Sequence, residues 1–315
     1  MLVHPMATKR SDTVLIIGNN DIAADVCLAL REQAPDGCRP PVVVGQVSGA
    51  SRERRLSLLE RGAERHLAAA LAAETPAVIV QLATSESPVR PRRRSRYDTI
   101  VAETVAAAVR LWWRRGGRPR HLVALSSTLV YGLARTSPLV FSERHGDSAP
   151  VGVGAATRYG RWVADLCRAE GIYRELCAEL GIGLTLLRAA PIVGGPVSSP
   201  VTDLLAARFG VRIAGFDPPV QVLHYADLIE GIRLAVAQLP GETLNLASRG
   251  VVRLSRLGAL AGRLLLPLPQ VAAAMLLPEG VHAAALACRC VADDRRAAQV
   301  LGFMPTYTAE EAVVG

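Results

Sequence analysis

Lysine is nearly absent from this chain of 315 residues: of its 36 basic residues, one is lysine (Lys9) and the other 35 are arginine. Lys9 lies in a polar N-terminal stretch, ahead of the first predicted strand. A GC-rich coding bias also replaces lysine with arginine, so the low count alone is weak evidence. It does exclude one arrangement: no tyrosine in the predicted folded body is followed by a lysine one helical turn later.

Targeting and metal-binding patterns are also missing. Residues 1–12 contain no apolar run of signal-peptide length. The longest apolar region, residues 257–288, is interrupted by prolines and charges, so we expect no membrane span. We interpret it as buried helices of a C-terminal lobe, with a docking or dimer surface as the alternative. The six cysteines show no Cys-x-x-Cys spacing, which predicts no metal site and favours free thiols in a cytoplasmic protein.

Strand-like and helix-like segments alternate along the first 190 residues. Apolar runs predict strands over residues 13–18, 41–45, 77–83, 121–126 and 183–188. Helical spacing predicts helices over residues 22–31, 97–115 and about 155–180. This alternation indicates an α/β fold, in which helices cover both faces of a doubly wound parallel sheet. A ligand would then bind near Gly18, where the first strand meets the first helix.

Six segments carry the motifs of one family in the family's order. They lie at residues 80–84, 125–132, 187–194, 222–228, 245–247 and 294–305. The second spells Leu-Ser-Ser-Thr-Leu-Val-Tyr-Gly and resembles the Ser-Ser-x-x-Val-Tyr-Gly signature of extended short-chain dehydrogenases/reductases, the group of NAD-dependent epimerases and dehydratases. The resemblance implies a Rossmann-type domain over residues 1–190 and a smaller substrate lobe mainly over residues 191–315. Segments around 220–247 would return to the Rossmann-type domain.

The resemblance also implies NAD or NADP as cofactor, held by a set of residues near the strand ends. That set is Gly18, Asn19, Asn20, Ala83 and Arg188. The family's Gly-x-x-Gly-x-x-Gly loop lets the backbone approach a pyrophosphate at a helix N-terminus. Here Asp21 stands in place of the middle glycine, and its carboxylate would cap the helix and repel phosphate. We therefore expect impaired dinucleotide binding, with a ligand held by the amides of Asn19 and Asn20 as the alternative.

The end of the second strand offers no acidic residue for the ribose of NAD. Arg52, Arg54 and Arg55 follow it. They could suit the 2′-phosphate of NADP or form the solvated face of a short helix. We favour the short helix.

The resemblance places Ser127 and Tyr159 as candidate catalytic residues and Thr128 as a candidate substrate contact. In the family a tyrosine acts as general acid/base and a lysine four residues later lowers its pKa. Counting back from Arg188 puts the expected tyrosine near Trp162 and the expected lysine near Leu166. Tyr159 is instead followed, at the lysine spacing, by a valine.

Substrate features differ as well. Val220 and Gln221 stand where nucleotide-sugar enzymes of the family carry an arginine for the diphosphate. His224 is a candidate substrate contact, although a packed histidine and a helix-capping Asp227 would also explain that segment. Residues Arg90–Arg96 hold five arginines that could bind phosphates or an acidic protein, with a solvated loop as the alternative. No aromatic interleaving supports nucleic-acid binding.

Two functions remain open from the sequence. The protein is either an atypical NAD(P)-dependent epimerase/dehydratase-like enzyme acting on the carbonyl or hydroxyl group of a small molecule, or a catalytically silent relative that serves as a binding or assembly subunit. A protein partner and a homodimer are both compatible with the second function. The net charge of +8 permits an acidic partner without identifying one.

Overall fold

A computed structural model describes residues 12–18, 21–33, 39–45, 53–85, 96–131, 140–147, 158–206, 210–269, 271–272 and 291–314. Seven parallel strands form the main sheet of this described part, in the order β12-β7-β5-β4-β1-β2-β3. They are β1 (Val14–Ile17), β2 (Val42–Gly45), β3 (Glu53–Arg55), β4 (Val78–Gln81), β5 (His121–Ser127), β7 (Gly183–Ala189) and β12 (Thr243–Leu246). This order confirms the predicted doubly wound parallel sheet.

Helices cover both faces of the sheet. The longer ones are α1 (Asp21–Glu32), α2 (Ala63–Glu74), α3 (Tyr97–Arg114), α4 (Arg158–Leu180) and α6 (Tyr225–Gln238). Side chains alternate along each strand, so Ile16 packs with α1 and α6 while its neighbours Leu15 and Ile17 pack with α2, α3 and α4. Burial on both faces explains why these strands are continuous apolar runs.

A smaller lobe of short elements is built mainly from the part of the chain that follows β7. Its helices are α5 (Pro200–Ala206), α7 (Leu254–Leu260) and α9 (Ala309–Val314). Another short helix, α8 (Arg295–Leu301), packs with α6 and β12 against the main sheet. The remaining short strands are β6 (Val140–Phe141), β8 (Ile192–Val193), β9 (Gly210–Ile213), β10 (Pro219–Val220), β11 (Leu223–His224), β13 (Val252–Arg253), β14 (Leu265–Leu268) and β15 (Val291–Ala292). They form two-stranded pairs outside the main sheet: β6 with β15, β8 with β11, β9 with β14 and β10 with β13. A separate apolar cluster, which includes Val201, Leu257 and Ala312, holds α5, α7 and α9 together.

The short helix expected at Arg54 and Arg55 is wrong, and Arg52 lies outside the described residues. Glu53–Arg55 is strand β3, which pairs in parallel with β2 at the edge of the sheet. An edge strand needs no buried apolar face, so three charged residues can form it. Within the described residues, no helix is both long enough and apolar enough to cross a membrane.

Candidate functional site

A cleft opens at the carboxyl ends of β4, β5 and β7, the edge at which doubly wound sheets bind ligands. The open space in and around it is about 480 Å³, a figure that includes solvent at its mouth, and sixteen of the described residues line it. They come from the start of α1, the ends of β4 and β5, the middle of α4, and the segments 189–192 and 198–200.

The two adjacent candidate residues at the end of β5 have different surroundings. Ser127, the last residue of the strand, is half-buried and lines the cleft. Its Oγ accepts a hydrogen bond from the Leu129 amide at 3.3 Å. Thr128 begins a 3₁₀ turn, is fully buried and does not line the cleft. The structure therefore brings Ser127, but not Thr128, to the ligand-accessible surface.

Helix α4 presents Trp162 and Leu166 to the same cleft, one helical turn apart. These are the positions at which the resemblance expects the tyrosine and the lysine. Tyr159 lies in the first turn of α4, and its side chain is outside the described residues. Val163, at the lysine spacing from Tyr159, is buried in an apolar cluster with Leu129. Leu166 and Val163, the two residues at the lysine spacing from Trp162 and Tyr159, are both apolar, so neither provides a cation on α4.

A chain of hydrogen bonds holds Trp162 in place. Its indole N–H donates to the Ser85 hydroxyl, which in turn donates to the Asp98 carboxylate. The Ser85 amide also donates to Asp98, at 2.8 Å. The carboxylate of Asp165, on α4, accepts hydrogen bonds from the amides of Asp98 (2.9 Å) and Thr99 (3.1 Å) at the start of α3. Asp165 thus caps α3 from a neighbouring helix, and the indole is fixed by the same network.

Arg188, expected at the cofactor, lies instead in a buried ion pair behind the cleft. It is 0% exposed, and its Nη2 lies 2.6 Å from Glu170 Oε2. Its Nη1 donates to the Tyr131 hydroxyl at 3.2 Å and to the Glu143 carbonyl at 3.0 Å. The guanidinium is engaged with protein acceptors in this structure, and the expected cofactor contact of Arg188 stays a prediction.

The ion pair is part of a larger polar network. Ser126, which lines the cleft, donates to Glu170 at 2.6 Å. Tyr131 donates to the Asn245 side chain at 2.6 Å. Burial raises the pKa of the Tyr131 phenol to about 12, against an opposing effect of Arg188. Tyr131 therefore stays protonated at neutral pH and is already engaged as a hydrogen-bond donor.

The predicted phosphate loop is described only in part. Gly18 follows β1, and a Cβ at this position would lie 2.4 Å from the Ala23 Cβ, so the end of the first strand and α1 approach closely. Asp21 is the first residue of α1, and it is exposed. Asn19 and Asn20 lie outside the described residues. A carboxylate in this first turn adds negative charge at the helix terminus that a pyrophosphate would approach.

The described residues do not fit a nicotinamide dinucleotide held in the manner of the family. Asp21 places negative charge at the N-terminus of α1, and Leu166 gives an apolar surface where an ammonium would hold the nicotinamide ribose. Ala83 is buried just after β4, beside the cleft residue Thr84, and its carbonyl accepts from Gln81 at 2.9 Å.

The substrate segment near α6 is packed into the fold. His224 caps α6 by accepting from the Ala226 amide at 3.2 Å, and its ring stacks on Tyr307 with centroids 3.7 Å apart. Burial lowers its pKa. Asp227 accepts from the amides of Thr306 and Tyr307, so the capping role expected of Asp227 belongs to His224. His224 is not among the residues lining the cleft.

Gln221, at the place of the family's diphosphate arginine, also has a structural partner. Its side-chain amide donates to the Ala292 carbonyl at 3.0 Å and accepts from the Ala292 amide at 2.8 Å. Most of the arginine-rich segment, residues 90–95, lies outside the described residues. Arg96 is described, and its exposed guanidinium lies 3.4 Å from Glu103. Of the apolar region 257–288, the described portion includes α7 and β14, and residues 273–288 lie outside it.

Comparisons of sequence identify relatives of unassigned role. No model of a known protein family matches the sequence. An uncharacterized protein of Mycobacterium tuberculosis is 28% identical over 204 residues, which cover 61% of this chain and 52% of that protein. An uncharacterized protein of Mycobacterium bovis matches equally. The chain therefore spans about half the length of the curated relatives it matches.

Comparisons of structure identify the fold. A UDP-glucose 4-epimerase from Brucella ovis in complex with NAD is 20% identical, with a TM-score of 0.67 and 96% of each chain covered. A UDP-glucose 4-epimerase from Thermotoga maritima with UDP-glucose is 16% identical, with a TM-score of 0.66 and 96% of each chain covered. An epimerase from Methanothermobacter thermautotrophicus is 11% identical, with a TM-score of 0.69, covering 96% of this chain and 90% of that one.

Proposed function

We propose that this protein, which has the fold of the extended short-chain dehydrogenases/reductases, binds a small molecule in its cleft without tyrosine–lysine-dependent hydride transfer. The observation that carries the proposal is that Leu166 lines the cleft at the expected lysine position. Trp162, at the expected tyrosine position, points its indole N–H at Ser85. The protein is then a catalytically silent relative with respect to redox chemistry.

Proton transfer by a phenol at neutral pH requires a nearby cation that lowers the phenol pKa. Leucine supplies no charge, and an arginine elsewhere on α4 would not reproduce a compact ammonium that also clamps a ribose. Tyr131, the described phenol nearest to Ser126 and Ser127 in sequence, has its pKa raised to about 12 by burial. These features support a site that binds without exchanging a proton through tyrosine.

Dinucleotide binding is the first test. We expect wild-type protein to give no saturable heat in calorimetric titrations with NADH or NADPH at millimolar concentration, because the Asp21 carboxylate occupies the helix terminus. Asp21→Asn removes the charge and retains the bulk, whereas Asp21→Gly removes both. Improved binding by both variants assigns the defect to charge, and improvement by Asp21→Gly alone assigns it to bulk. Micromolar binding of either cofactor by the wild-type protein would contradict the proposal.

A non-redox enzyme is the second candidate, and the position of Ser127 favours it. Its hydroxyl lies in the cleft at the end of β5, where it could polarise a carbonyl or hydroxyl group of a ligand. If a substrate screen finds turnover, Ser127→Ala should lower kcat by about 10²-fold, in the range of a lost polarising donor. Unchanged kcat would remove Ser127 from the mechanism and leave the binding function.

A further inference from the structure

The part of the cleft lining that the structure describes carries no charge. None of its sixteen described residues is acidic or basic. Its walls combine apolar side chains, including Ile22, Leu125, Leu129 and Leu166, with several serine hydroxyls. We propose that the ligand of this cleft is an uncharged molecule with an apolar body and a hydroxyl or carbonyl group. This inference rests on the proposed binding function and specifies its ligand class.

Electrostatics disfavours an anionic ligand here. A phosphate taken out of water needs a partner of opposite charge, and its burial without one is costly. A small cavity that shares Ser126 and Leu166 with the cleft is also lined by two acidic residues, Asp98 and Glu170. Arg188, the buried cation of this region, is paired with Glu170 at 2.6 Å. An anion would therefore meet carboxylates without gaining a cationic partner among the lining residues.

The hydroxyls of the cleft differ in what they can offer a ligand. Ser85 donates to Asp98, Ser126 donates to Glu170, and Ser199 is engaged with Thr202 at the start of α5. The Ser127 Oγ accepts from the Leu129 amide, an arrangement that leaves its O–H able to donate to a ligand oxygen. One hydroxyl or carbonyl oxygen on an otherwise apolar ligand matches this arrangement.

The test compares 1-naphthol with 1-naphthyl phosphate, which share one aromatic body and differ in charge. Calorimetry with the wild-type protein should show at least tenfold tighter binding of 1-naphthol. Ser127→Ala should weaken 1-naphthol binding up to about tenfold, the range expected for one hydrogen bond. Tighter binding of the phosphate, or no binding of 1-naphthol at millimolar concentration, would overturn the inference. An unchanged affinity in Ser127→Ala would overturn the role of Ser127 as donor.

A charge reversal sharpens the test. Leu166→Lys places an ammonium in the cleft and should improve binding of 1-naphthyl phosphate relative to 1-naphthol by at least tenfold. Ala178→Lys adds the same charge to an exposed position of α4, three turns away, and should leave the preference as it is. An equal effect of both lysines would show that the probes bind elsewhere and would overturn the inference.

Circular dichroism checks that Leu166→Lys folds. If this variant does not fold, the affinities of the wild-type protein for 1-naphthol and 1-naphthyl phosphate still decide the ligand class. NADH is titrated in parallel to separate the two proposals. Saturable NADH binding refutes the proposed function. A preference for the phosphate without NADH binding refutes the ligand class alone.

Discussion

The buried Glu170–Arg188 pair should dominate the stability of the region behind the cleft. Glu170→Gln keeps the side-chain volume and removes the charge that faces a guanidinium of 0% exposure. Breaking a buried pair by removing one partner typically costs about 3–5 kcal/mol, because the remaining charge is left uncompensated. Since a domain is stabilised by about 5–15 kcal/mol in total, the loss is a large share of stability. Urea unfolding, followed by circular dichroism at pH 7, measures the change in the free energy of unfolding.

The chain supplies a matched control on the same helix. Glu179 also pairs with an arginine, Arg110, at 2.6 Å, but both side chains are at least a third exposed. Glu179→Gln should therefore change the unfolding midpoint little, because solvent screens the pair. Replacing both buried partners, as Glu170→Leu with Arg188→Met, should recover part of the stability lost in Glu170→Gln. Equal effects of Glu170→Gln and Glu179→Gln would refute the reasoning.

Three further changes probe other buried groups. Burial and the charge of Arg120 lower the pKa of His121 to about 4, so the free energy of unfolding should fall as pH drops from 6.5 toward 4, by about 2 kcal/mol at pH 5. Urea unfolding of His121→Gln should lack this loss. The same pH profile in His121→Gln as in the wild-type protein would contradict the prediction. Tyr131→Phe leaves Asn245 without its donor and should cost about 1–3 kcal/mol in the same assay. Asp165→Asn weakens the cap of α3 and should cost about 1 kcal/mol, and an unchanged melting temperature would argue against that cap.

Much of the fold follows from local pattern. The strands β1, β4, β5 and β7 are continuous apolar runs, and burial on both sheet faces leaves that signature. β3 was missed because its Glu-Arg-Arg sequence has no apolar pattern, and a strand at a sheet edge does not need one. The two-residue strands of the smaller lobe are too short to show an alternation of apolar and polar residues in the sequence.

The site was predictable where a motif and a strand end coincide, as for Ser127. The buried ion pair of Arg188 was not predicted, because its motif does not say which way the side chain points. The alternation of side chains along a strand gives that direction. Arg188 shares a face of β7 with Leu186, which packs in the apolar cluster that contains α4 residues, and Glu170 lies on α4. Ser85, Asp98 and Asp165 were missed because tertiary packing alone joins them. The sequence held one sign of this network: Asp98 lies among the mostly apolar buried residues of α3.

The position of β12 bears on how the chain folds during synthesis. β12 closes one edge of the sheet by pairing with β7, with Asn245 directly opposite Arg188. A nascent chain that has not yet reached β12 therefore leaves β7 as an open edge, and Tyr131 lacks its hydrogen-bond partner Asn245. The central sheet can reach its final state only after the segment between β7 and β12 has been translated. Chaperone protection of the unfinished edge would be needed between the translation of β7 and that of β12.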